Sequence, residues 1–177
     1  LLLLTNPEQV LLRFAARSAE MLVSIYSGSQ KMTVVAEILK AKPDATVQTI
    51  APDASVLEAL RTMADKHIGA LLVVQNGHIE GIFTERDYAR KIALMGRSSA
   101  DTPMREVMTR SVMFVHPTQT SEACMQLMTD KRLRHLPVMD GEQLVGMISI
   151  GDLVADIISE QKFIIEQMTH YIGGNVR

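Results

Sequence analysis

An internal repeat restricts the possible folds of this chain more than any other feature. Residues 47–88 align without a gap on residues 112–153 after a shift of 65 positions. The identical pairs are Val47 and Val112, Pro52 and Pro117, Met63 and Met128, Asp65 and Asp130, Lys66 and Lys131, Leu71 and Leu136, Val73 and Val138, Gly81 and Gly146, and Asp87 and Asp152. Self-similarity at a fixed spacing indicates one supersecondary unit used twice, with the two copies covering each other's apolar faces.

Size and composition limit the classes of function. A chain of 177 residues suits one domain or two small halves with a shared core. Its net charge of −2 disfavours nucleic acid as the main partner, because nucleic-acid binding usually needs a basic surface. The single cysteine, Cys124, fits a buried inert thiol in a reducing compartment, so we predict a cytoplasmic protein. No apolar run approaches the roughly 20 residues of a membrane-spanning helix.

Residues 1–31 precede the repeat and carry apolar residues at helical spacing. We interpret them as an extra N-terminal helix or an upstream extension. A targeting signal is the alternative, because the segment has two arginines and few acids. The predicted organisation is a helical extension over 1–31, a first repeat over 32–98 and a second repeat over 99–177 that ends in a long helix.

The first copy predicts the order strand, helix, strand, strand, helix. These elements are a strand over 47–50, a helix from Ser55 to about Lys66, a strand over 70–74, a strand over 79–83 and a helix from about Thr84 through Leu94. Ser55 and Glu58 form a capping-box pattern at the helix start. The run 70–74 is apolar without alternation, which predicts a strand buried on both faces. Asn76-Gly77 predicts a tight turn between the two later strands.

The second copy predicts the same order, with its tight turn at Asp140-Gly141. Its last helix carries an apolar stripe as far as Gly173-Gly174. An apolar stripe on a helix is usually buried, so we predict that another protomer or the N-terminal helix packs against it.

The element order and three segments resemble a tandem pair of cystathionine-β-synthase (CBS) domains. The segments are residues 81–87 (GIFTERD), 134–138 (RHLPV) and 146–152 (GMISIGD), and the resemblance covers about residues 32–172. It implies an α+β fold in which two β-α-β-β-α repeats pack about a pseudo-twofold axis. The chain length is similar to that of stand-alone bacterial two-CBS proteins. The resemblance also implies a homodimer, because two such pairs commonly associate into a flat disc.

Each copy has a hydroxyl residue and an acid at the start of its last helix, Thr84 with Asp87 and Ser149 with Asp152. By sequence alone this pattern is an ordinary helix cap, although a capping box prefers the longer Glu or Gln. The resemblance implies that both carboxylates bind ribose hydroxyls. An ionised carboxylate only accepts hydrogen bonds and therefore suits a diol with two donors.

The largest difference between the copies is Arg134-His135, which corresponds to Gly69-Ala70. Because Arg134 and His135 open a buried strand, we expect them to face the cleft between the copies. A guanidinium fork suits phosphate oxygens, and the resemblance implies that basic residues here bind nucleotide phosphates. The alternative is that Lys131, Arg132 and Arg134 form a solvated basic face after a helix.

The resemblance places the acid of one copy opposite the strand of the other, which predicts two crossed clefts. Cleft A contains Thr84, Arg86, Asp87, Arg90, Thr109, Ser111, Val112, Leu133, Arg134 and His135, and cleft B contains Ile68, Gly69, Ala70, Ser149 and Asp152. Pro137, in the strand after His135, completes the candidate ligand-binding residues. Because cleft B lacks phosphate-binding side chains, we predict that cleft A is the better nucleotide site. Gly69 either leaves room in cleft B for a bulkier ligand or allows a closer backbone contact.

The predicted function is a regulatory module that binds an adenine nucleotide, AMP foremost and otherwise ADP, ATP or NAD. It would act on an unidentified partner protein through a ligand-dependent conformational change. The alternative is a non-catalytic dimeric interaction scaffold with vestigial clefts. A single-stranded nucleic-acid binder is disfavoured by the charge and by the few aromatic residues. We predict no enzyme activity and no metal site, because the sequence has no catalytic motif and its histidines lack metal-ligand spacing.

Overall fold

A computed structural model of the chain describes residues 33–173, with side chains described as far as residue 169. The elements are α1 (Val35–Ala41), β1 (Thr49–Ile50), α2 (Val56–Lys66), β2 (Ala70–Gln75), β3 (His78–Thr84), α3 (Glu85–Tyr88) with a π-helical turn (Ala89–Ala93), α4 (Met104–Val107), α5 (Ser121–Lys131), β4 (His135–Asp140), β5 (Gln143–Ser149) and α6 (Ile150–Gly173). This mixture of helices and two small sheets confirms the α+β prediction. The helix predicted within 1–31 lies outside the described residues.

Each half of the repeat builds a sheet around an antiparallel hairpin. The first sheet has the order β1-β2-β3, with β1 parallel to β2, and the second pairs β4 with β5. Val73 lies opposite Gly81, and the equivalent Val138 lies opposite Gly146. The register shifts directly after Val73 and again after Val138. The two copies therefore share the strand register and the position of the register shift, in addition to their sequence pattern.

The local signals in the first copy are confirmed. Ser55 caps α2: its hydroxyl accepts a hydrogen bond from the Glu58 N–H (3.2 Å), and the Glu58 carboxylate accepts one from the Ser55 N–H (2.8 Å). β2 is buried along its first four residues, as its unbroken apolar run predicts. Asn76 and Gly77 both have positive φ, as a type I′ hairpin turn requires.

Three element predictions need correction. The first strand of the second copy is reduced to one parallel bridge between Val115 and Val138, because the preceding chain turns where the Val112 N–H binds the Arg110 carbonyl. The second hairpin turns at residues 141–142 rather than 140–141, because Asp140 still pairs with Gln143. The helix predicted through Leu94 changes to π-helical geometry at Ala89, and Leu94 is 81% exposed.

The part of the chain that the structure describes contains two hydrophobic cores, and each receives a segment from the other half. The core around α2, β2 and β3 includes Met104, Val107 and Met108, which follow the linker. The core around α5, β4 and β5 includes Val35 and Ile38 of α1. Each core therefore depends on residues from both sides of position 98. Cys124 is fully buried in the second core, as the sequence predicts.

The repeated glycines lie where these exchanged segments approach the hairpins. A Cβ on Gly81 would lie 2.8 Å from the Met108 sulfur and 3.0 Å from the Thr109 carbonyl oxygen. A Cβ on Gly146 would lie 2.7 Å from the Leu39 side chain. The close approach at Gly81 allows two backbone hydrogen bonds between Ile82 and Thr109, which place Thr109 beside the end of β3.

None of the helices in the described part of the chain combines the length and the hydropathy that a membrane span requires.

Candidate functional site

Two cavities lie between the halves, and together they contain most of the predicted site residues. Cavity A has a volume of about 620 Å³ and is lined by Ile82, Thr84, Arg86, Asp87, Arg90, Thr109, Ser111, Val112, Met113, Lys131, Arg132, Leu133, Arg134 and His135. Cavity B has a volume of about 450 Å³ and is lined by residues 42–48, 66–70, His135, Met147 and Ser149. The residues assigned to cleft A from the sequence thus line one common cavity.

Two candidate residues lie outside these linings. Pro137 is buried within β4, and its carbonyl accepts a hydrogen bond from the Val115 N–H (3.0 Å), which is a contact within the fold. Asp152 does not line cavity B directly, but it contacts Lys42, which does. The other predicted residues of cleft B, namely Ile68, Gly69, Ala70 and Ser149, line cavity B.

The Thr84 and Asp87 pair is a helix cap whose acid also faces cavity A. The Thr84 N–H and hydroxyl both donate to Asp87 Oδ2, at 3.0 and 2.7 Å. The second oxygen, Oδ1, accepts from Lys91 Nζ at 2.7 Å and from the Thr109 hydroxyl at 3.1 Å. Thr109 comes from the second half of the chain, so this cluster joins the two halves at the cavity wall.

Ser149 and Asp152 repeat this cap at the start of α6. The Ser149 N–H and hydroxyl donate to Asp152 Oδ2, at 2.6 and 2.8 Å. The cation here is Lys42, which follows α1, and its Nζ lies 2.9 Å from Asp152 Oδ2 and 3.1 Å from the Met147 carbonyl. The sequence interpretation missed both lysines. Lys91 follows Asp87 by four residues, a spacing that could have revealed it, whereas Lys42 has no such signal.

Both acids have a lowered pKa. Burial alone would raise the pKa of the Asp87 carboxyl, but the hydrogen bonds from Lys91 and Thr84 and the Lys91 charge outweigh it. Burial likewise opposes a lowered pKa at Asp152, and the hydrogen bonds from Lys42 and Ser149 overcome it. Both groups are therefore carboxylates at neutral pH.

The Lys42–Asp152 pair predicts a specific acid sensitivity. A carboxyl with a lowered pKa in the folded state stabilises the fold above its ordinary value of 3.8, and this stability is lost as pH falls through the folded-state pKa. We expect Lys42→Met to lower the free energy of unfolding at neutral pH by about 1–2 kcal/mol and to flatten its decline below about pH 4. Urea unfolding as a function of pH measures both effects. Lys40→Met, an exposed lysine of α1, is the control, and parallel pH profiles for the two variants would contradict this role of Lys42.

Arg134 directly precedes β4, and His135 is the first residue of this strand. His135 lines both cavities, whereas Arg134 lines cavity A. Burial and the neighbouring Arg134 charge lower the pKa of the His135 imidazole, against the opposing carboxylates of Asp152 and Glu85. The imidazole is therefore neutral at pH 7 and can either donate or accept a hydrogen bond.

The basic residues at the end of α5 and before β4 are exposed to solvent and also line cavity A. Lys131, Arg132 and Arg134 all line the cavity. Arg132 has a φ of 55° at the end of α5, and its carbonyl accepts a hydrogen bond from the Arg86 guanidinium (2.6 Å). This bond ties the helix start of the first half to the helix end of the second half.

The space beside Gly69 in cavity B is partly filled. A Cβ on this residue would lie 3.2 Å from the Glu85 carboxylate and 3.7 Å from the His135 ring. The absence of a side chain at Gly69 therefore leaves room for the Glu85 and His135 side chains beside the backbone.

Among the described residues, no group of histidine, cysteine and acidic side chains has an arrangement that could hold a metal ion.

Comparison with known proteins identifies the family. The CBS domain model matches residues 35–94 and 104–159. The chain is 36% identical over 150 residues to the CBS domain-containing protein CBSX3, mitochondrial, of Arabidopsis thaliana, which is 80% of this chain and 73% of that protein. A solved structure of a protein with CBS domains from Burkholderia ambifaria MC40-6 is 54% identical, with a TM-score of 0.71 over 73% of this chain and 96% of that chain.

A second solved structure is that of the CBS domain pair of protein MJ0100 in complex with 5′-methylthioadenosine and S-adenosyl-L-methionine. It is 25% identical, with a TM-score of 0.60, and the match covers 73% of this chain and 98% of that chain. The two family-model matches fall one on each half of the repeat, and the structural matches extend across both halves. This chain therefore belongs to the CBS domain family and contains a tandem pair of CBS domains.

Proposed function

We propose that this protein is a regulatory module that binds an adenine nucleotide in cleft A and acts on a partner protein through a ligand-dependent conformational change. CBS domains are commonly regulatory and bind adenine-containing ligands. The observation that carries the proposal is the composition of cavity A, where an ionised acid and its hydroxyl partner lie in the same cavity as Arg134 and His135. These two groups come from different halves of the chain and suit the two polar parts of a nucleotide.

Cavity A offers a suitable surface for each part of such a ligand. The Asp87 carboxylate faces the cavity and has a lowered pKa, and ribose hydroxyls could bind it by replacing the donors of Lys91 and Thr109 at its Oδ1 atom. Ile82, Val112 and Leu133 provide apolar surface for the base. Arg134 provides a planar donor for phosphate oxygens. AMP is the first expectation for this site, and ADP, ATP and NAD share the same chemistry.

The solved MJ0100 complex supports the ligand class. That CBS domain pair binds 5′-methylthioadenosine and S-adenosyl-L-methionine, both of which contain adenosine. Cavity B is bordered by Lys42, which pairs with Asp152, so we also propose a second adenosine-type ligand there, with lower affinity for phosphate.

Isothermal titration calorimetry of the folded full chain with AMP, ATP and NAD tests the proposal. We expect saturable binding of at least one nucleotide at micromolar to submillimolar concentration. An absence of binding at millimolar concentrations of all three would refute the proposal and favour the alternative, a non-catalytic interaction scaffold with vestigial clefts.

The Arg86–Arg132 hydrogen bond suggests how binding could alter the relation between the halves. Arg86 lines the cavity and also holds the end of α5. A ligand that engages the Arg86 guanidinium competes with that bond, so it would favour a different arrangement of the halves. We propose that an unidentified protein in the cytoplasm responds to this difference.

We also propose that the protein is a homodimer that buries one face of α6. Val154, Ile157, Ile158 and Ile165 lie along one side of this helix, and each is at least 37% exposed. We expect Ile158→Glu to convert the dimer to a monomer, because a buried interface does not tolerate an unpaired carboxylate. Light scattering coupled to gel filtration measures the mass. Phe163→Glu, on the opposite side of α6, is the control, and equal masses for wild type and Ile158→Glu would exclude this interface.

A further inference from the structure

The charge of cavity A is far from balanced. Among the described residues, five cations line it, namely Arg86, Arg90, Lys131, Arg132 and Arg134, whereas Asp87 is the one carboxylate. Asp87 is itself already paired with Lys91, at 2.7 Å. The cavity therefore presents a concentrated positive charge in a protein whose net charge is −2.

Most of these cations have no partner within the described part of the chain. The side chains of Arg90, Lys131, Arg132 and Arg134 form no ion pair and no hydrogen bond there, and the Arg86 guanidinium binds a neutral carbonyl. Two arginines elsewhere in the described chain form ion pairs: Arg97 pairs with Glu106, and Arg105 pairs with Asp53. Unpaired cations around one cavity repel each other, so an anion that contacts several of them lowers the free energy of the site.

The positions of the cations favour an extended anion. Arg86 and Arg90 lie at and after α3 in the first half, close in sequence to the Asp87 acid. Lys131 is the last residue of α5, and Arg132 and Arg134 lie between α5 and β4 in the second half. A single phosphate can contact a few of these groups. A chain of two or three phosphates carries more charge and more oxygens, and it can reach cations from both halves.

Cavity B differs sharply in charge. Lys42 and Lys66 are its lining cations, and Asp44 is a lining acid. Lys42 already forms an ion pair with Asp152. Cavity B therefore has little uncompensated positive charge with which to discriminate between ligands by their number of phosphates.

We infer that cleft A selects nucleoside di- and triphosphates over the monophosphate, whereas cleft B does not select by phosphate number. This inference rests on the proposed nucleotide-binding function and changes its ligand order, since AMP is the first expectation from the sequence.

Calorimetric titration of the full chain with adenosine, AMP, ADP and ATP, without divalent cations, tests the inference. At about 0.15 M ionic strength we expect ATP to bind cleft A at least about tenfold more tightly than AMP. Raising the salt concentration should weaken ATP binding more than AMP binding. We expect Arg90→Gln and Lys131→Gln each to weaken ATP binding about threefold to fivefold and AMP binding by at most about twofold.

Two control variants distinguish an effect of the charge in cavity A from an effect of the protein's net charge. Arg61→Gln removes an exposed arginine of α2 that lines neither cavity, and Lys66→Gln removes a lysine that lines only cavity B. Neither should change the ATP-to-AMP affinity ratio of cleft A. Binding of AMP as tight as that of ATP would overturn the inference and leave the proposed function intact. An unchanged ratio in both Arg90→Gln and Lys131→Gln would also overturn it. A folded protein that binds none of the four ligands would refute the proposed function itself.

Discussion

Asp87→Ala and Arg134→Ala are each expected to weaken nucleotide binding in the same cleft, whereas Asp152→Ala leaves that cleft unchanged. The two residues belong to different repeats, yet both line cavity A. Loss of a hydrogen bond to a charged group typically costs about 1.5–3 kcal/mol, which corresponds to a weakening of roughly 10-fold to 100-fold for either variant. Calorimetry with ATP measures the affinities.

Two further measurements keep this result interpretable. Asp87 also caps α3, so Asp87→Ala is expected to lower stability by about 1 kcal/mol, and thermal unfolding must show that the variant is folded. Asp87→Asn retains a side-chain acceptor for the cap but loses the charge, and it should lose affinity with less loss of stability. If Asp152→Ala, rather than Asp87→Ala, weakened the ligand site that Arg134→Ala affects, the crossed arrangement of the clefts would be wrong.

Phe83→Ala is expected to lower the free energy of unfolding by about 3–5 kcal/mol. Phe83 has no exposed surface and packs in the first core with Leu71 and with Met104 from the other half of the chain. Removing the ring leaves a cavity where the two segments meet, in addition to the lost transfer free energy. Because domains of this size have about 5–15 kcal/mol of stability, such a loss is severe.

Urea unfolding measures this loss directly, and Phe114→Ala is the matched control because that phenylalanine is 51% exposed. We expect the control to change stability by less than about 1 kcal/mol. Similar losses in the two variants would contradict the burial of Phe83. Since Thr84 follows Phe83 directly, partial loss of nucleotide binding should accompany the loss of stability.

The features that could be predicted from the sequence depend on residues that are close along the chain. The Ser55 cap needs only Glu58 three residues later, and the Asn76-Gly77 turn needs only two residues that tolerate positive φ. The same locality explains why the Thr84 and Asp87 motif could be placed at a helix start, where the structure confirms a helix cap. The family resemblance implied that Thr84 and Asp87 face a cleft together with residues of the second copy. In the structure these residues line cavity A.

Predictions failed where one copy was used to infer the other. The strand expected near the start of the second copy is a single bridge, although the equivalent segment of the first copy pairs as β1. The chain turns between Arg110 and Val112, and this turn also brings Ser111 and Val112 to cavity A. Identical spacing therefore did not guarantee identical pairing, because Pro137 lacks the N–H that the equivalent Leu72 donates to the Gln48 carbonyl in the first copy.

The sequence by itself determined the repeat, the hairpins, the helix caps and the residues that distinguish the two copies. These features follow from side-chain periodicity, turn geometry and short-range hydrogen bonds. Only the tertiary structure decided which segments cross between the halves, that Lys42 pairs with Asp152, and that five cations surround one cavity. Those contacts join residues far apart in the chain, and they depend on how the two cores pack. We therefore expect the preference of cleft A for highly charged ligands to belong to the packed pair of domains and not to either repeat alone.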